Sequence, residues 1–76
     1  MSKYGVVLFH TTAAAMRAES VLVRAGLTVR LIPTPRHLSS DCGIALRFLW
    51  EDLDELQMQL QTQRVELAQI HQIADG

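Results

Sequence analysis

Thr28-Val29-Arg30-Leu31-Ile32-Pro33-Thr34-Pro35-Arg36-His37-Leu38-Ser39-Ser40-Asp41-Cys42-Gly43-Ile44-Ala45-Leu46-Arg47-Phe48-Leu49 is the stretch whose reading decides the fold. Both of its ends alternate. Val29 and Leu31 alternate with Thr28, Arg30 and Ile32, while Ile44, Leu46 and Phe48 alternate with Ala45, Arg47 and Leu49. A period of two sends successive side chains to opposite faces, so these are strands spanning 28 to 32 and 44 to 49. Between them, residues 33 to 42 read as neither strand nor helix. Pro33 and Pro35 end the first strand, and the segment closes on Cys42, the chain's only cysteine.

Upstream, Tyr4 to Phe9 is short, apolar and rich in Val, the pattern of a buried strand. Thr11 or Thr12 offers a hydroxyl to the free N–H groups of a helix running to about Ala25. Ala14, Ala18, Val21, Leu22 and Ala25 form its apolar face, and Gly26 supplies the left-handed residue that stops it. Downstream, Trp50 closes the third strand. Asp52 and Glu55 have the spacing of a capping box and open a second helix with Leu53, Leu56 and Leu60 inward. No Gly or Pro breaks the chain between Glu51 and Ala74. Val65, Leu67, His71 and Ile73 share parity and suit a fourth strand, whereas Leu60, Leu67, Ile70 and Ala74 would suit a continued helix. We favour the strand, because it covers an otherwise exposed sheet edge.

Strand, helix, strand, strand, helix, strand is the order of a ferredoxin-like βαββαβ sandwich, an α/β (α+β) fold. It is expected to have a four-stranded, mainly antiparallel sheet with two helices on one face. The 76 residues suffice for a single domain, 1–76, with a modest core. A composition 49% hydrophobic and 20% charged is that of a globular chain. One cysteine makes no internal disulfide, and the usage suits a reducing cytoplasm. Val6 to Phe9 is too short for a signal-peptide core, and no stretch approaches the ~18 apolar residues of a membrane span, so no membrane partner is expected.

The net charge of -1 argues against general nucleic-acid binding, which needs an excess of Lys and Arg. Only Tyr4, Phe9, Phe48 and Trp50 are aromatic, and they form no basic-aromatic stripe for stacking RNA bases. The charge is unevenly distributed. Residues 1 to 50 carry Lys3, Arg17, Arg24, Arg30, Arg36 and Arg47 against Glu19 and Asp41. Residues 51 to 76 carry Arg64 against Glu51, Asp52, Asp54, Glu55, Glu66 and Asp75. Ordinary solvated faces account for this, as would a cationic site on one side and an acidic docking face on another.

In the ferredoxin-like topology the first and third strands are antiparallel neighbours at the sheet centre. Cys42 and Gly43 then lie beside Phe9, His10 and the start of the first helix. Cys42 shares the parity of Ile44, Leu46 and Phe48, so its sulfur points toward that helix's N-terminus, where an anion is favoured by ~0.3 to 1 kcal/mol. Arg36, His37, Ser39 and Ser40 could further support a sulfur anion, with Asp41 opposing it. A plain reading stands beside this one: a Pro-rich turn ending in a buried cysteine. His10 and His37 also make a Cys-His-His zinc site conceivable, although no two ligands have the close spacing of familiar sites. No metal and no cofactor is expected.

The run from Leu31 to Arg47, with its Pro-x-Pro-Arg and Ser-Ser-x-Cys-Gly elements, resembles the signature of the selenium/sulfur carrier-like family of small bacterial proteins, a domain of formerly unknown function. The resemblance extends to Tyr4 to Phe9, to Ala15-Met16-Arg17-Ala18-Glu19, and to Ala25-Gly26-Leu27. It implies that Cys42 is the sulfur- or selenium-carrying thiol, holding a persulfide or selenopersulfide. Arg36, Ser39 and Ser40 fall on the motif's Arg and serines, and Gly43 allows close backbone approach. His10, Thr11 and Thr12 would support the site from the helix start. The implied partners are sulfur or selenium donor and acceptor proteins. The Gln-rich run Gln57 to Gln63 departs from the family in lacking a glycine turn before the last strand.

Carrier chemistry needs one nucleophilic thiol, whereas a thioredoxin-like reductase needs a second cysteine. No Ser-His-acid set suggests a hydrolase, so a carrier or adaptor is expected in preference to a turnover enzyme. The competing readings keep Cys42 structural. One is a protein-interaction module, possible as a homodimer, using the open sheet face or the acidic second helix; the other is an anion sensor built on Arg36, the serines and the helix start.

Overall fold

The computed structural model describes residues 3–38 and 42–73. Its elements are β1 (Tyr4–Leu8), α1 (Thr12–Arg24), β2 (Val29–Pro33), β3 (Ile44–Leu49), a 3-10 turn (Trp50–Asp52), α2 (Leu53–Thr62) and β4 (Gln69–Ile73). They form the expected ferredoxin-like sandwich. The sheet order is β2-β3-β1-β4, every pairing is antiparallel, and β1 and β3 occupy the centre. No helix among the described residues is long and apolar enough to cross a membrane.

Alternation in β1 and β3 divides the core as their sequences require. Val7, Phe9, Leu46 and Phe48 face the helices, packed with Ala15, Ala18, Leu22, Leu56 and Leu60. Each fully buried Leu or Phe contributes about 1.5–3 kcal/mol. Ala15 is wholly buried and Ala25 is exposed, which corrects the apolar face read for α1. Ala25 is the C-cap, where the chain is already leaving the helix. On the opposite face Val6, Leu8 and Ala45 form a second buried cluster, flanked by Ile32 of β2 and Ile73 of β4 and covered by Leu38 and Ala68 from outside the strands. That face is therefore partly closed by the chain's own loops.

Both helices end in the same hydrogen-bond pattern. In α1, Gly26 N–H donates to Val23 O (3.0 Å) and Leu27 N–H to Leu22 O (3.0 Å), with Gly26 at φ +84°. In α2, Arg64 N–H donates to Gln61 O (3.1 Å) and Val65 N–H to Leu60 O (2.9 Å), with Arg64 at φ 56°. These are Schellman motifs, each closed by an apolar contact between the residue after the turn and the last helical turn. Arg64 thus takes the place of a glycine. Arg17 supports it from α1, donating from Nη2 to Gln63 O (2.7 Å) and from Nη1 to Arg64 O (3.4 Å). A cation at these carbonyls also meets the negative end of the helix dipole.

Three boundary expectations are corrected. Pro33 belongs to β2, paired opposite Ile44, which an edge strand tolerates because one side of it needs no N–H donor. Asp52 makes no side-chain cap: the chain enters α2 through the 3-10 turn, leaving Asp52 at φ -94°, ψ 9° instead of the extended backbone of a capping residue. Val65 and Leu67 precede β4 and pack with the helix-side core, as does Ile70, while Ile73 joins the opposite cluster. Pairing begins where Ala68 N–H reaches Leu8 O at 2.7 Å.

Two substitutions test these constraints. A Cβ at Gly5 would lie 2.6 Å from Phe48 Cζ and 2.7 Å from Trp50 Cε3, rings that stack at 5.9 Å. Gly5→Ala should cost about 1–3 kcal/mol in urea unfolding, as overpacking does. Arg64→Gly should stabilise by up to about 1 kcal/mol, because it removes the penalty of a left-handed non-glycine residue. Its melting temperature should rise, and an unchanged or lower value would contradict that account of the α2 terminus.

Candidate functional site at Cys42

Cys42 sits two residues before β3, and the register Leu8↔Ala45 brings that end of the sheet beside the start of α1. Its side chain is 4% exposed. The sulfur lies 3.7 Å from the hydroxyl of Thr12, the first residue of α1, at a distance and geometry where either group can donate. The parity argument therefore holds for the helix-facing direction.

The helix start is built by Thr11. At φ -138° and ψ 153° its backbone is extended, and its Oγ1 accepts from Ala14 N–H at 3.1 Å while its carbonyl accepts from Ala15 N–H at 3.2 Å. Its hydroxyl satisfies one of the four N–H groups that every helix start leaves unpaired. The first turn of α1 contains no acidic residue. Its partial positive charge lies beside Cys42 without a carboxylate in that turn to offset it.

The cysteine's backbone is held separately. Thr34 N–H donates to Gly43 O (3.0 Å), and Thr34 Oγ1 donates to Cys42 O (2.9 Å). Leu38 N–H donates to Pro35 O (3.0 Å) in a tight turn, and the Leu38 side chain packs on the Val6–Leu8–Ala45 cluster. Thr34 and Leu38 are structural contributors that sequence reasoning missed. The available signals were a hydroxyl between two prolines and a lone apolar residue in a polar segment.

The other expected site residues are less concentrated. Arg36, His37 and His10 are exposed, and Arg36 makes no hydrogen bond or ion pair among the described residues. Ser39, Ser40 and Asp41 lie outside the described residues. A Cβ at Gly43 meets no atom within 4 Å. The fold itself does not require glycine there. Among the described residues no three His, Cys, Asp or Glu side chains gather as metal ligands would.

The family model described as Putative Se/S carrier protein-like matches residues 4–72. The chain belongs to this family. Neither a curated protein nor a solved structure matches it. In this Se/S carrier family member, the match takes in all four strands up to Gln72 and both helices, together with Cys42 and its helix start.

Thr11 is the residue on which the helix start most directly depends. Thr11→Ala should destabilise the protein by ~1 kcal/mol and speed native-state alkylation of Cys42, as the frayed first turn uncovers the sulfur. Urea denaturation and iodoacetamide labelling read the two effects. Destabilisation with unchanged labelling would separate the cap from the thiol's environment.

Proposed function

We propose that the protein carries sulfur or selenium as a persulfide or selenopersulfide on Cys42 and hands it to a partner protein. The observation that carries this reading is the placement of the family member's only thiol against Thr12 at the start of α1. In loading, the Cys42 thiolate attacks the terminal sulfur of a donor persulfide. A new S–S bond forms on Cys42, the donor's S–S bond breaks, and the donor leaves as a thiolate. The sulfane sulfur moves without net oxidation. In unloading, an acceptor thiolate attacks the terminal sulfur and Cys42 leaves as the thiolate. Selenium transfers in the same way, with a selenium–sulfur bond.

The helix start favours negative charge, so the anionic terminal sulfur has a complementary dipole if it lodges near Thr12 and the N-terminal amides. Thr11 positions that terminus. The open space beside Gly43 suits close approach by donor or acceptor, and exposed Arg36 suits steering of an anionic one. Ser39 and Ser40 would serve as hydroxyl donors to the loaded sulfur, and His10 as a nearby proton donor or acceptor. The protein acts in this reading as a carrier in a reducing cytoplasm, with donor and acceptor enzymes performing the turnover chemistry.

One observation favours a second reading. At 4% exposure Cys42 is also placed as a packing residue, in which case the domain is an interaction or anion-sensing module. Intact-mass measurement after incubation with a cysteine desulfurase and cysteine distinguishes the two. The carrier gains one sulfur per chain, loses it to dithiothreitol, and gains none as Cys42→Ser. An unchanged wild-type mass under conditions that persulfidate a free thiol control rejects the carrier and leaves Cys42 structural.

A further inference from the structure

The sheet face away from the helices is covered toward its Cys42 end by the loop residues Leu38 and Ala68, which pack on the Val6–Leu8–Ala45 cluster. Its other end carries an arrangement that packing does not explain. Arg30 on β2 and Arg47 on β3 are direct partners across the sheet. Like charges in directly opposed positions destabilise a strand pair. Neither guanidinium is offset by a carboxylate among the described residues.

The two arginines border a cavity of about 260 Å³ lined also by Tyr4, Thr28 and Leu49, with Val29 and Phe48 completing its wall. By strand parity Arg30, Arg47, Tyr4 and Leu49 share one face, and Thr28 continues the parity of Arg30. The Arg47 guanidinium carbon stands 4.7 Å from the centre of the Tyr4 ring, which holds that cation in place before any ligand arrives. Lys3 Nζ lies 5.8 Å from the centre of the same ring and adds to the positive field. Hydroxyls of Tyr4 and Thr28 supply neutral donors.

We propose that this cavity binds a small molecule bearing a phosphate- or sulfate-type dianion. Two guanidiniums set the charge: a phosphomonoester carries about −1.5 to −2 at neutral pH and neutralises both, whereas a carboxylate neutralises one. The concave shape and flanking ring suit a phosphate with a compact organic group. The site is independent of the thiol reading, because it lies at the opposite end of the sheet from Cys42.

Backbone NMR titration at constant ionic strength with inorganic phosphate, sulfate, phenyl phosphate and acetate tests the proposal. Saturable shifts at residues 28–30 and 47–49 are expected with the dianions and not with acetate. Tighter binding of phenyl phosphate than of inorganic phosphate assigns the site to an organic phosphate, and equal binding assigns it to the free anion. Arg30→Gln and Arg47→Gln should each weaken binding about tenfold or more, while Arg36→Gln and Cys42→Ser leave it unchanged. Arg30→Gln should also raise the melting temperature in anion-free buffer, since it removes the like-charge pair. Non-saturable shifts, equal response to acetate, a site centred on Arg36, or binding of an acidic peptide but of neither dianion would each overturn the proposal.

Discussion

The antiparallel pairing of β1 with β3 fixes the rest of the molecule. From Tyr4↔Leu49 to Leu8↔Ala45 these strands form the sheet centre, with β2 added to one and β4 to the other. A slip of one residue would turn Leu46 and Phe48 onto the face of Arg47, exchanging core for surface along the whole strand. Gly5 helps hold this register. It stands opposite Phe48, and the absence of a side chain there leaves the space that Phe48 and Trp50 occupy. The same register carries Cys42 to the start of α1, so the thiol's surroundings follow from core packing more than from any local motif.

That dependence explains what was legible in the sequence. Alternation in β1 and β3, the Thr11 cap and Gly26 are local signals, and together they suffice for the fold order, the central pair and the direction of the Cys42 side chain. The second half was harder to read because its structure uses residues outside their usual roles. Arg64 occupies a left-handed position that composition assigns to glycine, and Asp52, with cap spacing, caps nothing. Thr34 and Leu38 act through contacts with Cys42 O and with the far-face cluster, neither visible without the fold. Sequence proximity and topology bring Arg36 and His10 toward the thiol, and both side chains are exposed, a feature set by side-chain direction that irregular segments do not encode.

Arg17 shows how a tertiary contact replaces a missing local one. Its guanidinium crosses from α1 to the carbonyls of Gln63 and Arg64 just past the end of α2, supplying donors and positive charge where the helix dipole is negative. A left-handed arginine costs roughly 1–2 kcal/mol relative to glycine. Charge-assisted hydrogen bonds are worth about 1.5–3 kcal/mol when sheltered and less at an exposed site such as this. The two are comparable, so the Schellman turn closes without glycine. The burial of Val65 against Leu60 then sets the direction in which the chain leaves for β4.

The two proposed sites are separated along the length of the sheet. Cys42 and Arg47 are five residues apart in extended chain, roughly 16 Å at about 3.3 Å per residue. Screening at physiological salt reduces interactions between exposed charges beyond about 8 Å. The Arg30–Arg47 pair therefore has little direct electrostatic influence on Cys42, whose nearer electrostatic neighbour is the start of α1. On the two proposals, a near-neutral chain would hold two anion-favouring sites toward opposite ends of one sheet: one at the Cys42 sulfur beside Thr12 and the start of α1, the other at the guanidiniums around an open cavity. The distinction matters chemically. Amides at a helix start suit a small anion held close to the backbone, as a terminal sulfur on Cys42 would be, whereas paired guanidiniums suit a freely diffusing dianion.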